Sequence, residues 1–278
     1  MKLTYLGTAA AEGWPALFCR CEYCTKALER GGKNLRTRSQ ALVNDDLLID
    51  FPADSFSHMQ QNGLNFSAVK YLLITHSHMD HFMPTDLHLR SGSYYAHNLT
   101  SDSLDLYGNE RVNKLLQNER VVRDEEPNDT GIRAHVVKAF EPFACGRYTV
   151  TPLPATHAER ENAFVYLIND GEKTLLYLHD TGLPREEVYE YLKEHQVKAD
   201  LVSYDCTYVA LPSGGGHLGL DSCPAVRQRL EEIGVSDAHT VSVVNHFSHN
   251  GKLIHDELEP AAKELGFLTS YDGMAVEF

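Results

Sequence analysis

The run Val69-Lys70-Tyr71-Leu72-Leu73-Ile74 ends, one residue later, in His76-Ser77-His78-Met79-Asp80-His81, and no other segment limits the fold so tightly. The run reads as a buried strand. The H-x-H-x-D-H that follows packs three imidazoles and a carboxylate into one turn, a donor set able to hold two cations side by side. A solvated histidine-rich turn is the plainer reading, and the strand in front of it argues against that. Donors fixed at one strand end are of use only if other strand ends bring further ligands to the same rim.

Three later segments do so. His157 follows Thr151-Pro152-Leu153-Pro154-Ala155-Thr156, Asp180 follows Leu175-Leu176-Tyr177-Leu178-His179, and His246 follows Val241-Ser242-Val243-Val244-Asn245. His179 should face away from Asp180 if its strand is regular, which places it in the core or behind the ligands. Asp50 closes a further apolar run, Leu47-Leu48-Ile49, where an ordinary turn aspartate is the plain reading. Surface or core roles are expected for histidines 58, 88, 97, 135, 195, 239 and 255.

At 278 residues the chain has the length of one large or two ordinary domains, and no Pro/Gly/Ser-rich linker or repeat divides it. Its first residues lack the pattern of a secretory leader, since Lys2 stands alone and Thr4 and Gly7 interrupt the apolar stretch. No run approaches the roughly 18 apolar residues of a membrane span. A cytoplasmic location without membrane attachment is expected. Thirty-nine acids against twenty-five bases give a formal charge of −14, with no Lys/Arg cluster that would grip long nucleic acid. Asp124-Glu125-Glu126 with Asn128-Asp129 reads as a solvated acidic loop that would repel a polyphosphate. A small anionic substrate drawn by the cations is the expected partner; a homodimer is compatible with the chain.

The pattern predicts strands at 2–6, 40–43, 47–51, 69–74, 132–139, 148–153, 163–168, 174–178, 201–204 and 240–244. Helices are predicted at 53–62, 112–118, 184–194, 223–233 and 256–265. Asp170-Gly171 signals a type I′ hairpin. Hairpin-linked strands come first and helices alternate with strands later, which suggests two sheets between helices.

Cys19-Arg20-Cys21-Glu22-Tyr23-Cys24 is a C-x-C-x-x-C in a chain expected to meet a reducing compartment. Three thiolates so close suit a structural zinc rather than a disulfide. His249, three residues after His246, is the preferred fourth ligand; Cys145, Cys206 and Cys223 compete but read as small buried residues. One short loop, His246-Phe247-Ser248-His249, would then serve both centres.

With these motifs in place, the chain resembles the metallo-β-lactamase superfamily over essentially its full length: H-x-H-x-D-H, a later His, an Asp and a final His stand in the family's order. The resemblance implies a single-domain αββα sandwich spanning 1–278, with the zinc loop at 19–24. It implies that His76, His78 and His157 hold one cation, that Asp80, His81 and His246 hold a second, that Asp180 bridges them, and that Asp50, where relatives often have such a carboxylate, orients a ligand histidine. The pair would be manganese or zinc, sharing an activated water. The cysteine pattern is similar to that of the phosphodiesterases of the carbon–phosphorus lyase pathway, which act on a ribosyl cyclic phosphate, and to that of the B-type pyrroloquinoline quinone biosynthesis proteins. Phosphodiesterase relatives place a histidine near Pro212-Ser213-Gly214-Gly215-Gly216-His217. His217 is therefore expected to bind phosphate or protonate the leaving oxygen, its glycines allowing it to swing. A catalytic role beside metal binding is expected of Asp80. Hydrolysis of a carbon ester, lactone, thioester or β-lactam is the alternative, and a non-hydrolytic pathway protein is a third reading.

Overall fold

The computed structural model describes residues 1–92, 94–123 and 130–278; the acidic stretch Asp124–Asp129 lies outside them. In chain order the strands are β1 (Lys2–Gly7), β2 (Gln40–Val43), β3 (Leu47–Ile49), β4 (Tyr71–Leu73), β5 (Leu104–Gly108), β6 (Ile132–Val136), β7 (Phe143–Cys145), β8 (Tyr148–Pro154), β9 (Phe164–Asn169), β10 (Thr174–Leu178), β11 (Leu201–Asp205), β12 (Val241–Asn245), β13 (Leu268–Thr269) and β14 (Met274–Glu277). They form two seven-stranded sheets, ordered β14-β1-β2-β3-β4-β5-β6 and β13-β12-β11-β10-β9-β8-β7. The helices are α1 (Glu22–Arg30), α2 (Ser55–Gln61), α3 (Glu110–Arg123), α4 (Glu186–Glu194), α5 (Cys223–Glu232) and α6 (His255–Glu264).

Alternation along the strands sorts the core into layers. In the first sheet Leu3, Tyr5, Ile49 and Leu73 face the second sheet and meet Val150, Tyr166, Ile168, Tyr177 and Val243. Their neighbours Leu6, Leu48 and Leu72 face outward and pack beneath Val112 and Leu116 of α3. On the far side Val165, Leu176, Val202 and Val244 pack against α4, α5 and α6 through Val188, Leu192, Val226, Leu230 and Leu258. The result is the expected αββα sandwich. Among the described residues, no helix is long and apolar enough to cross a membrane.

Several elements differ from expectation. The β9–β10 turn is centred one residue later, on Gly171-Glu172, with Asp170 N–H donating to Lys173 O. Only Gly171 of that pair has positive φ, so the turn is not type I′. Asp170 Oδ1 accepts from the Glu172 and Lys173 amides, which keeps Asp170 at the strand end. The Cys19–Cys24 segment is not all loop: Cys21 caps α1 and Cys24 lies in its first turn. Strands β5, β7, β13 and β14 carried no sequence signal, being short or flanked by turn residues.

Candidate metal centre and active site

The rim that carries the site lies at the C-terminal ends of β4, β10 and β12 and beyond β8. Asp50, Asp180 and His246 each follow a strand and each adopt a left-handed backbone, with φ of 66°, 54° and 64°. Such conformations persist in non-glycine residues only where surroundings enforce them. Here they stop the strand and turn the side chain over the sheet edge.

Seven side chains from distant parts of the chain converge. His76, His78, His157 and Asp180 form one group, and Asp80, His81, Asp180 and His246 another, the donor atoms within each lying within 4.8 Å of one another. Asp180 belongs to both. Its Oδ2 sits 3.3 Å from His76 Nε2 and 3.2 Å from both His81 Nε2 and His157 Nε2. His157 Nε2 is 3.2 Å from His78 Nδ1, and His81 Nε2 is 3.2 Å from His246 Nε2. Donor atoms around a tetrahedral cation at about 2.0–2.1 Å stand about 3.3–3.4 Å apart, so these separations match the edges of a coordination shell. His76 Nε2 and Asp180 Oδ1 are buried without a hydrogen-bond partner, a cost that a bound cation removes. The donor set therefore fits two divalent ions.

The electrostatics agree. Burial pushes His157 down to about 4, which keeps the ring neutral as a ligand must be. Burial alone would raise Asp80 and Asp180, yet the surrounding imidazoles hold both below the usual carboxylate range. His81, though buried, is pushed up by Asp80 and Asp50, a charge balance that a cation could take over from a proton.

Neighbouring groups aim the ligands. Asp50, as anticipated, receives His81 Nδ1 at 2.7 Å and also binds the Thr75 amide and hydroxyl. His179 faces inward as anticipated, 2.6 Å from Ser203 Oγ and against the rings of Tyr5 and Tyr177. Three contributors escaped the sequence reading. Thr207 Oγ1 lies 2.8 Å from His246 Nδ1. Asp205, fully buried at the end of β11, binds Thr207 through its amide and hydroxyl and Leu218 through its amide. Glu161 accepts from Ser77 N, Ser77 Oγ and Asn109 Nδ2 and so anchors the H-x-H turn. Asp205 repeats the pattern of a polar residue closing an apolar strand and could have been found by it; Glu161, in a loop, has no such signal.

His217 reaches the same rim. Its Nδ1 lies 2.9 Å from Asp180 Oδ1 and 3.5 Å from Asp205 Oδ2. Neither His217 Nδ1 nor Asp180 Oδ1 has a hydrogen bond, so the close contact is electrostatic and badly angled. Burial favours the neutral ring, but the two carboxylates push His217 up to about 11. A cation sharing Asp180 would withdraw part of that support and bring it toward neutrality. The glycines nearby do more than permit motion: a Cβ on Gly182 would lie 2.3 Å from Gly215 O, and one on Gly216 2.9 Å from His157 Nδ1. They let the His217 loop press against the rim. The cavity above has a volume of about 380 Å³ and is walled by Ala10, Ala11, Glu12, Tyr208, Ser248 and Asn250 beside the clustered ligands, with no lysine or arginine among the described residues that line it.

Cys19, Cys21, Cys24 and His249 form a separate group within 4.8 Å. His249 Nδ1 lies 3.7 Å from Cys19 Sγ and 3.4 Å from Cys21 Sγ. Burial opposes charge on Cys21, but the Cys24 amide and His249 lower its pKa to about 6, where a thiolate is available. All six cysteines are free, with Cys145, Cys206 and Cys223 buried. The Ala9–Phe247 bridge ties the loop after β1 to the loop that carries both His246 and His249, with Ala10 N–H bonded to Phe247 O and Phe247 N–H to Thr8 O.

Residues 47–239 match the beta-lactamase superfamily domain. The coenzyme PQQ synthesis protein B of Methylobacterium radiotolerans is 28% identical over 202 residues, 64% of this chain and 64% of that protein's length. Two solved structures share the fold. A diphosphatase from the PhnP family superposes with a TM-score of 0.73 at 21% identity, covering 100% of this chain and 97% of the other. The Zn²⁺-bound PqqB of Methylobacterium extorquens gives 0.75 at 20% identity with 100% of both chains covered.

Proposed function

The chain belongs to the beta-lactamase superfamily, and from that premise we infer that it is a metal-dependent phosphodiesterase hydrolysing a small phosphodiester. The observation that carries this reading is His217, held beside Asp180 at the mouth of the seven-ligand cluster. An alkoxide leaves phosphorus poorly, and a protonated imidazole at that position answers the need. His76, His78 and His157 would hold one cation, Asp80, His81 and His246 the other, and Asp180 both. Bound there, the pair supplies Lewis acidity and an activated water.

The remaining work belongs to the chain. Asp80 and Asp180 offset the cationic charge, and Asp50 and Thr207 fix the tilt of His81 and His246. Asp205 and Asp180 face His217 Nδ1 and hold the ring protonated, so that the Nε2 proton would pass to the leaving oxygen and leave the ring neutral. A cavity of about 380 Å³ suits a small ligand; Glu12 in its wall leaves the ligand cluster itself to grip the anion, while Arg111 and Arg160 line a neighbouring cavity that shares His78. The cysteine group with His249 would hold a structural zinc.

The protein reconstituted with manganese or zinc should hydrolyse bis(p-nitrophenyl) phosphate, and His217→Ala should reduce kcat at least about a hundredfold. Turnover of p-nitrophenyl acetate or a β-lactam, with the diester untouched, would instead favour carbon-ester chemistry. The similarity to the PQQ synthesis protein supports a second reading, a pathway protein without hydrolytic turnover. Tight cation binding with every ester left intact would favour it.

A further inference from the structure

Polar side chains behind the rim, half-buried at Asp272 and Thr37 and buried from His58 inward, form one continuous file that reaches His81. Asp272, in the turn before β14, has Thr8 Oγ1 at 2.6 Å from Oδ1, and Thr37 N and Oγ1 at 2.6 and 2.5 Å from Oδ2. Thr37 Oγ1 is 2.7 Å from His58 Nε2, and His58 Nδ1 is 2.7 Å from Gln40 Oε1. Gln40 Nε2 donates to Asp50 O at 2.9 Å and to Ser55 Oγ at 3.0 Å. The carboxylate of Asp50 then meets His81 Nδ1 at 2.7 Å. Gln40, Asp50, His58 and His81 are fully buried.

Donor and acceptor chemistry orders this file. A carbonyl only accepts, so the Gln40 nitrogen must face Asp50 and its oxygen must face His58. His58 Nδ1 therefore carries a hydrogen. The one Thr37 hydroxyl hydrogen cannot serve both of its neighbours, so His58 and Asp272 hold one further proton between them. Gly7 makes room for the assembly: a Cβ there would lie 2.8 Å from the His58 ring and 1.9 Å from Arg38 O.

The file acts where the backbone needs support. Asp50 sits at φ 66°, held by its amide on Leu73 O at 2.8 Å and by its carbonyl on Gln40. If Gln40 lets go, one of two backbone restraints on a strained residue is lost, and the carboxylate, still held by the Thr75 amide and hydroxyl, shifts relative to His81. We propose that Gln40 and His58 are positioning residues that hold His81 in register with its cation through Asp50. The inference rests on the two-cation reading of the rim.

Gln40→Leu, His58→Ala and Thr37→Val, the last removing a hydroxyl from a near-isostere, test it in the full chain. Zinc affinities are measured by competition with a chromophoric chelator, and the two rim ions are assigned with His157→Ala and His246→Ala. Gln40→Leu and His58→Ala should weaken the Asp80–His81–His246 ion about tenfold, and Thr37→Val severalfold. The other rim ion and the cysteine-bound ion should be unchanged. His58→Gln, which keeps an N–H for Gln40, should recover most of the loss. An equal loss at all sites, or unchanged affinities in the soluble variants, overturns the proposal. A wild-type protein that takes up fewer than two rim cations overturns the reading beneath it, and this inference with it.

Discussion

Asp205 contacts no proposed cation directly, yet it stands under two histidines that matter, 3.5 Å from both His217 Nδ1 and His246 Nδ1. Asp205→Asn keeps the shape and removes the charge. It should lower kcat for a diester about ten- to a hundredfold with little change in KM, a split that steady-state kinetics reads directly. His217 also sets a pH signature. Its carboxylate neighbours raise its folded pKa, so the acid form is present at low pH and is lost as pH rises through that value, between neutrality and about 11. The wild-type rate profile should therefore fall on the alkaline side, and His217→Ala should lack that limb. Residue identities at this scale were legible where each ligand followed an apolar run, as His76, Asp180 and His246 do. Thr207 and Glu161 were not, because a hydroxyl or carboxylate in a loop gains its meaning only from what it folds against.

Among the elements, strands with an uninterrupted apolar run were readable even when short, as β3 and β4 are, and those set among polar flanks were not. β5, Leu104–Gly108, has only five residues beside serine- and aspartate-rich flanks, and β14 presents alternate side chains at an open edge. α1 was hidden because its first turn is built from the cysteine motif, whose chemistry masked its helical period. Glycine roles were equally indistinct in advance. The triplet Gly214-Gly215-Gly216 suggests mobility, but contact with Gly182 and His157 shows close packing as well. Gly182→Ala should push the His217 loop off the rim. We expect a destabilisation of about 1–3 kcal/mol in denaturant titration and a fall in diester turnover greater than that stability loss explains.

At the scale of the whole molecule, stability should depend on pH through a histidine far from the rim. Arg36 Nη2 lies 2.9 Å from His255 Nδ1, and since a guanidinium only donates, that nitrogen accepts. Burial and the Arg36 charge push His255 down to about 4. The unfolded ring takes up a proton near pH 6.5 while the folded one resists, so its contribution is complete above that pH and is lost as pH falls toward 4. Chemical denaturation at pH 7 and pH 5 should differ by on the order of 1 kcal/mol more in the wild type than in His255→Gln. The cysteine group offers a second test at this scale. His249 of that group sits three residues after His246 on the same loop, so Cys21→Ser should weaken a cation held by Asp80, His81 and His246 severalfold as well as abolishing zinc uptake at the cysteines.

The rim also has a mechanical meaning. His76, His78, Asp80 and His81 follow a strand of one sheet, whereas His157, Asp180 and His246 follow strands of the other. Cations seated between them would rivet the two halves of the sandwich, so the layers could not part without giving up their ions. Heat resistance should then climb with free metal and drop on adding a chelator, in step with the logarithm of the concentration. Loading the centre would then be coupled to completing the tertiary structure.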